Sequence, residues 1–171
     1  VGPTGCGKST LLNVAAGLLA PSTGTVHVFG EPLTGINRRA GYMFQADSLL
    51  PWRSALDNAA YGMEIRGVAA AERSRRARDL LAEVGLKGFE NHYPKMLSHG
   101  MRQRCALART FCLDSPVMLM DEPFGALDAQ TKLQLEDLLL RLWGEHRRTV
   151  VFITHDLAEA VALSDRVIVM S

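Results

Sequence analysis

The stretch GPTGCGKST, Gly2 to Thr10, decides how this 171-residue chain is read. It fits G-x-x-x-x-G-K-[ST], with Gly2, Gly7, Lys8 and Ser9 at the fixed places. Glycines there let a backbone wrap phosphate oxygens closely and take positive φ. Along Gly2, Pro3, Thr4, Gly5, Cys6, Gly7 and on to Thr10, the N–H groups of every residue but Pro3 and the N-terminus of the following helix offer positive potential. Lys8 can reach β- and γ-phosphates, and the Ser9 hydroxyl can ligate Mg²⁺. The competing reading is a Gly-rich turn before a helix, with its Lys in water.

Outward from this loop, short apolar runs bounded by turn residues predict buried strands at 25–29 (TVHVF), 40–44 (AGYMF), 116–120 (PVMLM), 149–154 (TVVFIT) and 166–170 (RVIVM). Helical patterns lie between them: 8–18, an Arg-rich amphipathic 70–84, 100–113, the leucine-spaced DAQTKLQLEDLLLRLW, and a short HDLAEAVAL. Strands alternating with helices predict an α/β fold with a mostly parallel sheet. Residues from about 46 to 114 hold no convincing strand and read as a helical insert. The core is then 1–45 and 115–171, all in one domain.

Two strand ends carry chemistry. VMLMDEP places Asp121 and Glu122 where an apolar strand stops. In open α/β sheets, ligands sit at the carboxyl ends of strands. An Asp there can hold Mg²⁺, and the adjacent Glu122 could polarise a water for attack on a phosphate. Taken alone, the pair reads more readily as a solvated acidic turn stopped by Pro123; beside the phosphate loop that reading recedes. VVFITHD puts His155 on the same edge, where imidazole could bond a γ-phosphate or an attacking water. It reads equally well as a surface His at a helix start. After MF, the Gln45 amide could touch Mg²⁺ or water, although a lone Gln is more often a plain polar residue. In LSHGMRQR, Ser98 is a candidate helix cap.

Composition narrows the class. A net charge of +1 disfavours a nucleic-acid binder. Three cysteines, Cys6, Cys105 and Cys112, suggest a reducing compartment with no disulfide framework. No apolar run reaches the roughly 18 residues that span a bilayer, and no signal peptide precedes the domain. The chain opens on Val1 inside the phosphate loop and stops directly after RVIVM. We therefore expect a piece truncated at both ends, lacking the strand that should precede the loop.

In this order, the pieces resemble the ABC-type ATPase domain, a P-loop NTPase fold with an inserted helical subdomain. The resemblance matches a Walker A loop (GPTGCGKST), a Q-loop at Gln45, a signature region (LSHGMRQR), a Walker B (VMLMDEP), a D-loop (GALD, Gly125 to Asp128) and a switch His155. FQADSLLPWRSALDN and HGMRQRCALART look like bacterial importers of nitrate, sulfonate or taurine. This resemblance implies ATP and Mg²⁺ as ligands, with Ser9, Gln45 and Asp121 in the metal shell. Glu122 would be the general base and His155 the γ-phosphate sensor. It implies two nucleotide-binding subunits paired head to tail, with Ser98, Gly100 and Asp128 acting in trans on the other's ATP. Further implied partners are membrane permease subunits, docked near LLPWRSALDN, and indirectly a solute-binding protein. No nucleic acid is expected, and the place is the cytoplasmic face of the bacterial inner membrane.

The alternative within the same family is a soluble ATPase acting on ribosomes or DNA. Such proteins usually carry tandem domains or a long coiled-coil insertion, which the short insert here does not supply. A P-loop kinase would leave the signature and switch motifs unexplained, and a non-catalytic module would not need Glu122 and His155. His99 departs from the family's usual Leu-Ser-Gly-Gly. We expect it to be tolerated, because His is enriched at positive φ should the turn need it. The adenine-stacking aromatic of the family lies outside this sequence, so ATP over GTP follows from the resemblance alone. Cys6 sits near a helix N-terminus, a placement that lowers a thiol's pKa; we expect maleimide to block ATP binding and ATP to protect. Inert packing is the equal alternative.

Overall fold

The computed structural model describes residues 1–171. Its axis is VMLMD, which forms β4 (Val117–Asp121). An apolar run without alternation suits a strand covered on both faces, and Met118, Leu119 and Met120 are all fully buried. β3 (Ala40–Met43) and β5 (Thr149–Ile153) flank it, both parallel to it. Ala40 pairs with Val117 and Met43 with Met120; on the other side Val117 pairs with Thr149 and Asp121 with Ile153. This register brings the three strand ends to one edge.

The pleat of β4 sorts its side chains onto two layers. Leu119 packs with Leu12, Ala16 and Ile153 beneath α1 (Lys8–Ala15). Met118 and Met120 join the larger core. Buried residues of α2 (Ala55–Ile65), α3 (Ala70–Glu83), α4 (His99–Cys112) and α5 (Ala129–Glu145) supply the rest of that core. α4 is buried nearly all round, through Gln103, Cys105–Ala108 and Thr110–Cys112. A helix that apolar belongs in an interior, and here α2 and α3 cover it. A short α6 (Leu157–Leu163) follows β5. No helix is long and apolar enough to cross a membrane.

Local signals explain the boundaries. Ser54 caps α2 by accepting from the Asp57 N–H at 3.1 Å and donating to its carboxylate at 2.6 Å. Glu72 on the wet face of α3 pairs with Arg75 and Arg76.

Three expectations need correction. The helix predicted over 8–18 ends at Ala15. Gly17, at φ 71, turns the chain with bonds from Gly17 N–H to Val14 O and from Leu18 N–H to Asn13 O, the Schellman stop. The strand predicted at 25–29 shrinks to β1 (His27–Val28), paired only with β2 (Glu31–Pro32) in an antiparallel hairpin apart from the main sheet. Phe29 and Gly30, at φ 52 and 82, form a turn in which both central residues have positive φ. The strand predicted at 166–170 forms no ladder. Its two bonds, Val1 N–H to Ile168 O and Met170 N–H to Val1 O, reach one residue, too short a partner for a strand. Between β3 and β4 the chain is helix and loop throughout.

Candidate functional site

Gly7 is the N-cap of α1, in the left-handed region at φ 96, and no side chain caps the helix. The first amides of a helix without a capping side chain are free donors for an anion. The loop before it is closed by Cys6 N–H on Pro3 O, and Thr4 and Gly5 are exposed. Gly2 is packed so tightly that a Cβ would sit 2.5 Å from Met170 O and 2.8 Å from Cys6 Sγ.

Lys8 is the most constrained side chain of the site. It is only 7% exposed, and its Nζ donates to Gly2 O at 2.9 Å and Pro3 O at 3.0 Å. Glu122 Oε1 lies 3.7 Å away. A buried ammonium must be paired and hydrogen-bonded, and this one is both. The loop carbonyls and Glu122 thus hold the charge where phosphate oxygens would meet it.

The edge of the sheet supplies three more groups. Asp121 ends β4, and its Oδ1 accepts from Ser9 Oγ at 3.0 Å. Glu122 takes φ 42, uncommon for a non-glycine residue. Its N–H bonds Ile153 O at 2.9 Å, extending the β5 pairing by one residue, while the side chain turns away. Glu122 Oε2 meets His155 Nδ1 at 3.0 Å. One carboxylate therefore spans from the buried Lys8 to the His155 ring, whose side chain is 59% exposed. Nearby, Tyr42 donates to Asn13 Oδ1 at 3.1 Å, and burial, then the Asp121 carboxylate, pushes its hydroxyl up to about 12.

Bonds thus join Lys8, Glu122 and His155 in one group and Ser9 and Asp121 in another, and the chain neighbours Lys8–Ser9 and Asp121–Glu122 set the two side by side. They do not reach Gln45, Ser98, Gly100, Asp128 or exposed Thr10. Gln45 is exposed just past β3, and only its backbone carbonyl is bonded, by Gln103 Nε2 at 3.5 Å. Ser98 caps α4 by accepting from Met101 N–H at 3.3 Å. His99 is the first residue of α4 and has no positive φ, so the left-handed conformation anticipated there does not arise. Gly100 faces α5: a Cβ would come 3.0 Å from Thr131 Cγ2. Asp128 caps α5 through Thr131 N–H at 3.0 Å, which holds its carboxyl below the usual range.

Several polar side chains were not singled out from the sequence. Arg109 donates to Asp47 O and Ser48 O, both at 2.7 Å, and Arg102 bonds Asp47 Oδ2 at 2.8 Å. Together they fix the loop after Gln45. The available signal was their seven-residue spacing, two turns along one face of the helix. Lys132, paired with Asp156 at 2.6 Å, carried no such signal.

The donor set suits Mg²⁺: a hydroxyl and a carboxylate, both hard oxygens, already 3.0 Å apart. Chemically, the cluster combines a phosphate-binding cation, a metal-binding pair and a carboxylate bonded to an imidazole.

Residues 1–125 match the family described as ABC transporter. Over all 171 residues the chain is 47% identical to an uncharacterized ABC transporter ATP-binding protein of Methanocaldococcus jannaschii, covering 64% of it. It is 43% identical to a taurine import ATP-binding protein of Yersinia pestis, covering 67%, and 46% identical to one of Pseudomonas putida, covering 65%. The chain thus spans about two thirds of the length of the curated relatives it matches. Among solved structures it resembles a dimeric ATP-binding cassette in a post-hydrolysis state bound to ADP and phosphate. The TM-score is 0.86 at 34% identity, over 99% of this chain and 78% of that one.

Proposed function

This chain belongs to the ABC transporter family, and from that premise we propose that it hydrolyses ATP in a bacterial importer for a small anion such as nitrate, sulfonate or taurine. The observation that carries the reading is the continuous Lys8–Glu122–His155 array at the sheet edge. Taurine importer relatives support the direction of transport and the class of solute.

Lys8 exchanges its contacts with the Gly2 and Pro3 carbonyls for β- and γ-phosphate oxygens, and the loop amides bind the rest. Ser9 and Asp121, joined by Gln45, would hold Mg²⁺, which would supply positive charge to offset that of the phosphates. Glu122 orients a water on the γ-phosphorus and takes its proton as the P–O bond to ADP breaks. His155 is bonded through Nδ1 to Glu122, which aims the carboxylate and fixes the ring beside the γ-phosphate.

Two copies pair head to tail; the cassette that the chain resembles is itself dimeric. Ser98, Gly100 and Asp128 of each then meet the other's nucleotide. The α4 N-terminus carries roughly half a positive charge, which favours an anion there. Permease subunits dock on the insert, where a groove of about 260 Å³ is lined by Tyr42, Phe44, Leu50, Tyr61 and Leu113. Trp52, 71% exposed, lies in the loop leading to α2. This places the subunit on the cytoplasmic face of the inner membrane, working indirectly with a solute-binding protein.

The test is Glu122→Gln in the full-length protein. ATP binding should persist, turnover should fall by on the order of a thousandfold, and a closed dimer should accumulate with ATP. Unchanged turnover removes Glu122 as the base.

A further inference from the structure

Lys132 stands in the first turn of α5, where the helix's partial positive charge disfavours a cation. Its side chain is only 19% exposed. Both facts make it a costly residue unless its partners matter. Those partners are three carboxylates: Asp156 Oδ2 at 2.6 Å, Glu159 Oε2 at 3.7 Å and Glu136 Oε1 at 3.9 Å. Glu136 and Glu159 are buried, and Glu159 Oε1 has no partner. No other cation pairs with the three, so Lys132 alone offsets this buried negative charge.

The position of Asp156 gives the cluster its meaning. Asp156 follows His155 directly. Its Oδ1 caps α6 through Ala158 N–H at 2.9 Å and Glu159 N–H at 3.2 Å, and its own N–H bonds Thr154 Oγ1 at 2.9 Å. The turn carrying His155 is therefore tied to α6 on one side and, through Lys132, to α5 on the other. One helical turn before Lys132 lies Asp128, the cap of α5. A displacement of the Asp128 end of α5 would thus reach the His155 turn through Lys132, by its close pair with Asp156 and its longer one with Glu159.

We propose that Lys132 is a positioning residue: by clamping Asp156 to the first turn of α5 it holds His155 against Glu122 and couples that contact to Asp128. The inference rests on the reading in which His155 and Glu122 serve ATP hydrolysis. Lys132 touches neither His155 nor Glu122; it acts through Asp156. Misplacing a catalytic group by about an ångström costs on the order of a hundredfold, and loss of the clamp permits a smaller shift.

The experiment compares Lys132→Met, Lys132→Arg and Asp156→Asn in the full-length protein, each with and without His155→Ala. ATP turnover, KM and equilibrium nucleotide binding are measured. Lys132→Met should lower kcat by on the order of tenfold while KM and binding stay within about twofold, since an effect confined to the reacting state leaves ground-state binding alone. Lys132→Arg should restore most of the loss. In the His155→Ala background, Lys132→Met should cost almost nothing more, because both act on one unit. Should Lys132→Met fail to fold, Asp156→Asn cuts the same contact from the other side and must show the same dependence on His155. Two results overturn the proposal: an equal fall in kcat with His155 absent, or unchanged kcat per nucleotide-binding molecule. A wild-type protein that turns over no ATP would instead overturn the functional reading.

Discussion

The pocket around Lys8 and the helix end at Ser98 use the same chemistry in opposite ways. Both present a helix N-terminus. At α1 the chain closes on itself: Lys8 is buried among Gly2, Pro3 and Glu122, and Ser9 is bonded to Asp121 from 112 residues away. At α4 the capping group stays local: the Ser98 hydroxyl has one bond, to Met101 of its own helix, and Ser98 is exposed. One half-site is assembled by long-range contacts within the chain; the other is presented outward on a rigid helix. This division is what the proposed head-to-tail pairing requires, because each nucleotide would then need one half of each kind.

The largest expected effect tests the closed half. Lys8→Ala removes the phosphate-binding cation and leaves Glu122 with only His155 as a partner. Removing one partner of a desolvated charge pair weakens binding by on the order of a hundredfold. Titration with a fluorescent ATP analogue should show that loss; wild-type affinity would mean the loop is not the binding site.

Next comes the outward half. Ser98→Arg should leave nucleotide binding by each subunit unchanged within about twofold while lowering turnover on the order of a hundredfold, since it blocks only a pocket completed in the dimer. The comparison breaks or holds on mixing this variant with Lys8→Ala. If Ser98 acts in trans, mixed dimers carry one site with both defects and one with neither, so turnover returns. No recovery at any mixing ratio would place both residues in the same pocket. Ser98→Ala should additionally lower helix stability by about 1 kcal/mol through the lost cap.

The same contrast explains how much was legible beforehand. Gly2 to Ser9, Asp121, Glu122 and His155 could be read because a loop motif and two strand ends fix their places locally, and the parallel register does the rest. Ser98 was legible as a cap for the same reason. Strands at 25–29 and 166–170 were misread because a strand exists only where a neighbour offers a ladder. His27–Val28 finds two residues and 166–170 only Val1. Lys132, Arg102 and Arg109 were invisible in role, since Asp47 and Asp156 lie 55 and 24 residues away from Arg102 and Lys132. The stop at Gly17 was readable from a glycine after a helical run.

A smaller effect sharpens the link between the halves. Arg109 anchors the backbone of the loop after Gln45 from within α4, the helix that Ser98 caps. Arg109→Met keeps the bulk but removes two hydrogen bonds, one of them to an exposed carbonyl that water can reach, costing about 1 kcal/mol. A thermal melt should show that loss. If this loop carries the permease contact, stimulation of turnover by the assembled transporter should fall more than basal turnover does.

The smallest effect separates stability from the site altogether. Glu72, on the exposed face of α3, bonds Arg75 and Arg76, and these bonds lower its pKa from the ordinary 4.5 to about 2. A carboxylate lowered in the folded state stabilises that state above its unfolded value, and the contribution fades as pH falls through the folded one. The melting temperatures of wild type and Glu72→Gln should therefore differ by a constant amount above about pH 5 and converge between 4.5 and about 2. Being solvent-exposed, the pair is worth little, so the gap is small. ATP turnover at neutral pH should not change, because α3 contributes no group to either half-site. A turnover change with Glu72→Gln would show that the insert's outer helix is coupled to the Lys8 pocket, and the division between a closed and an outward half would have to be redrawn to include it.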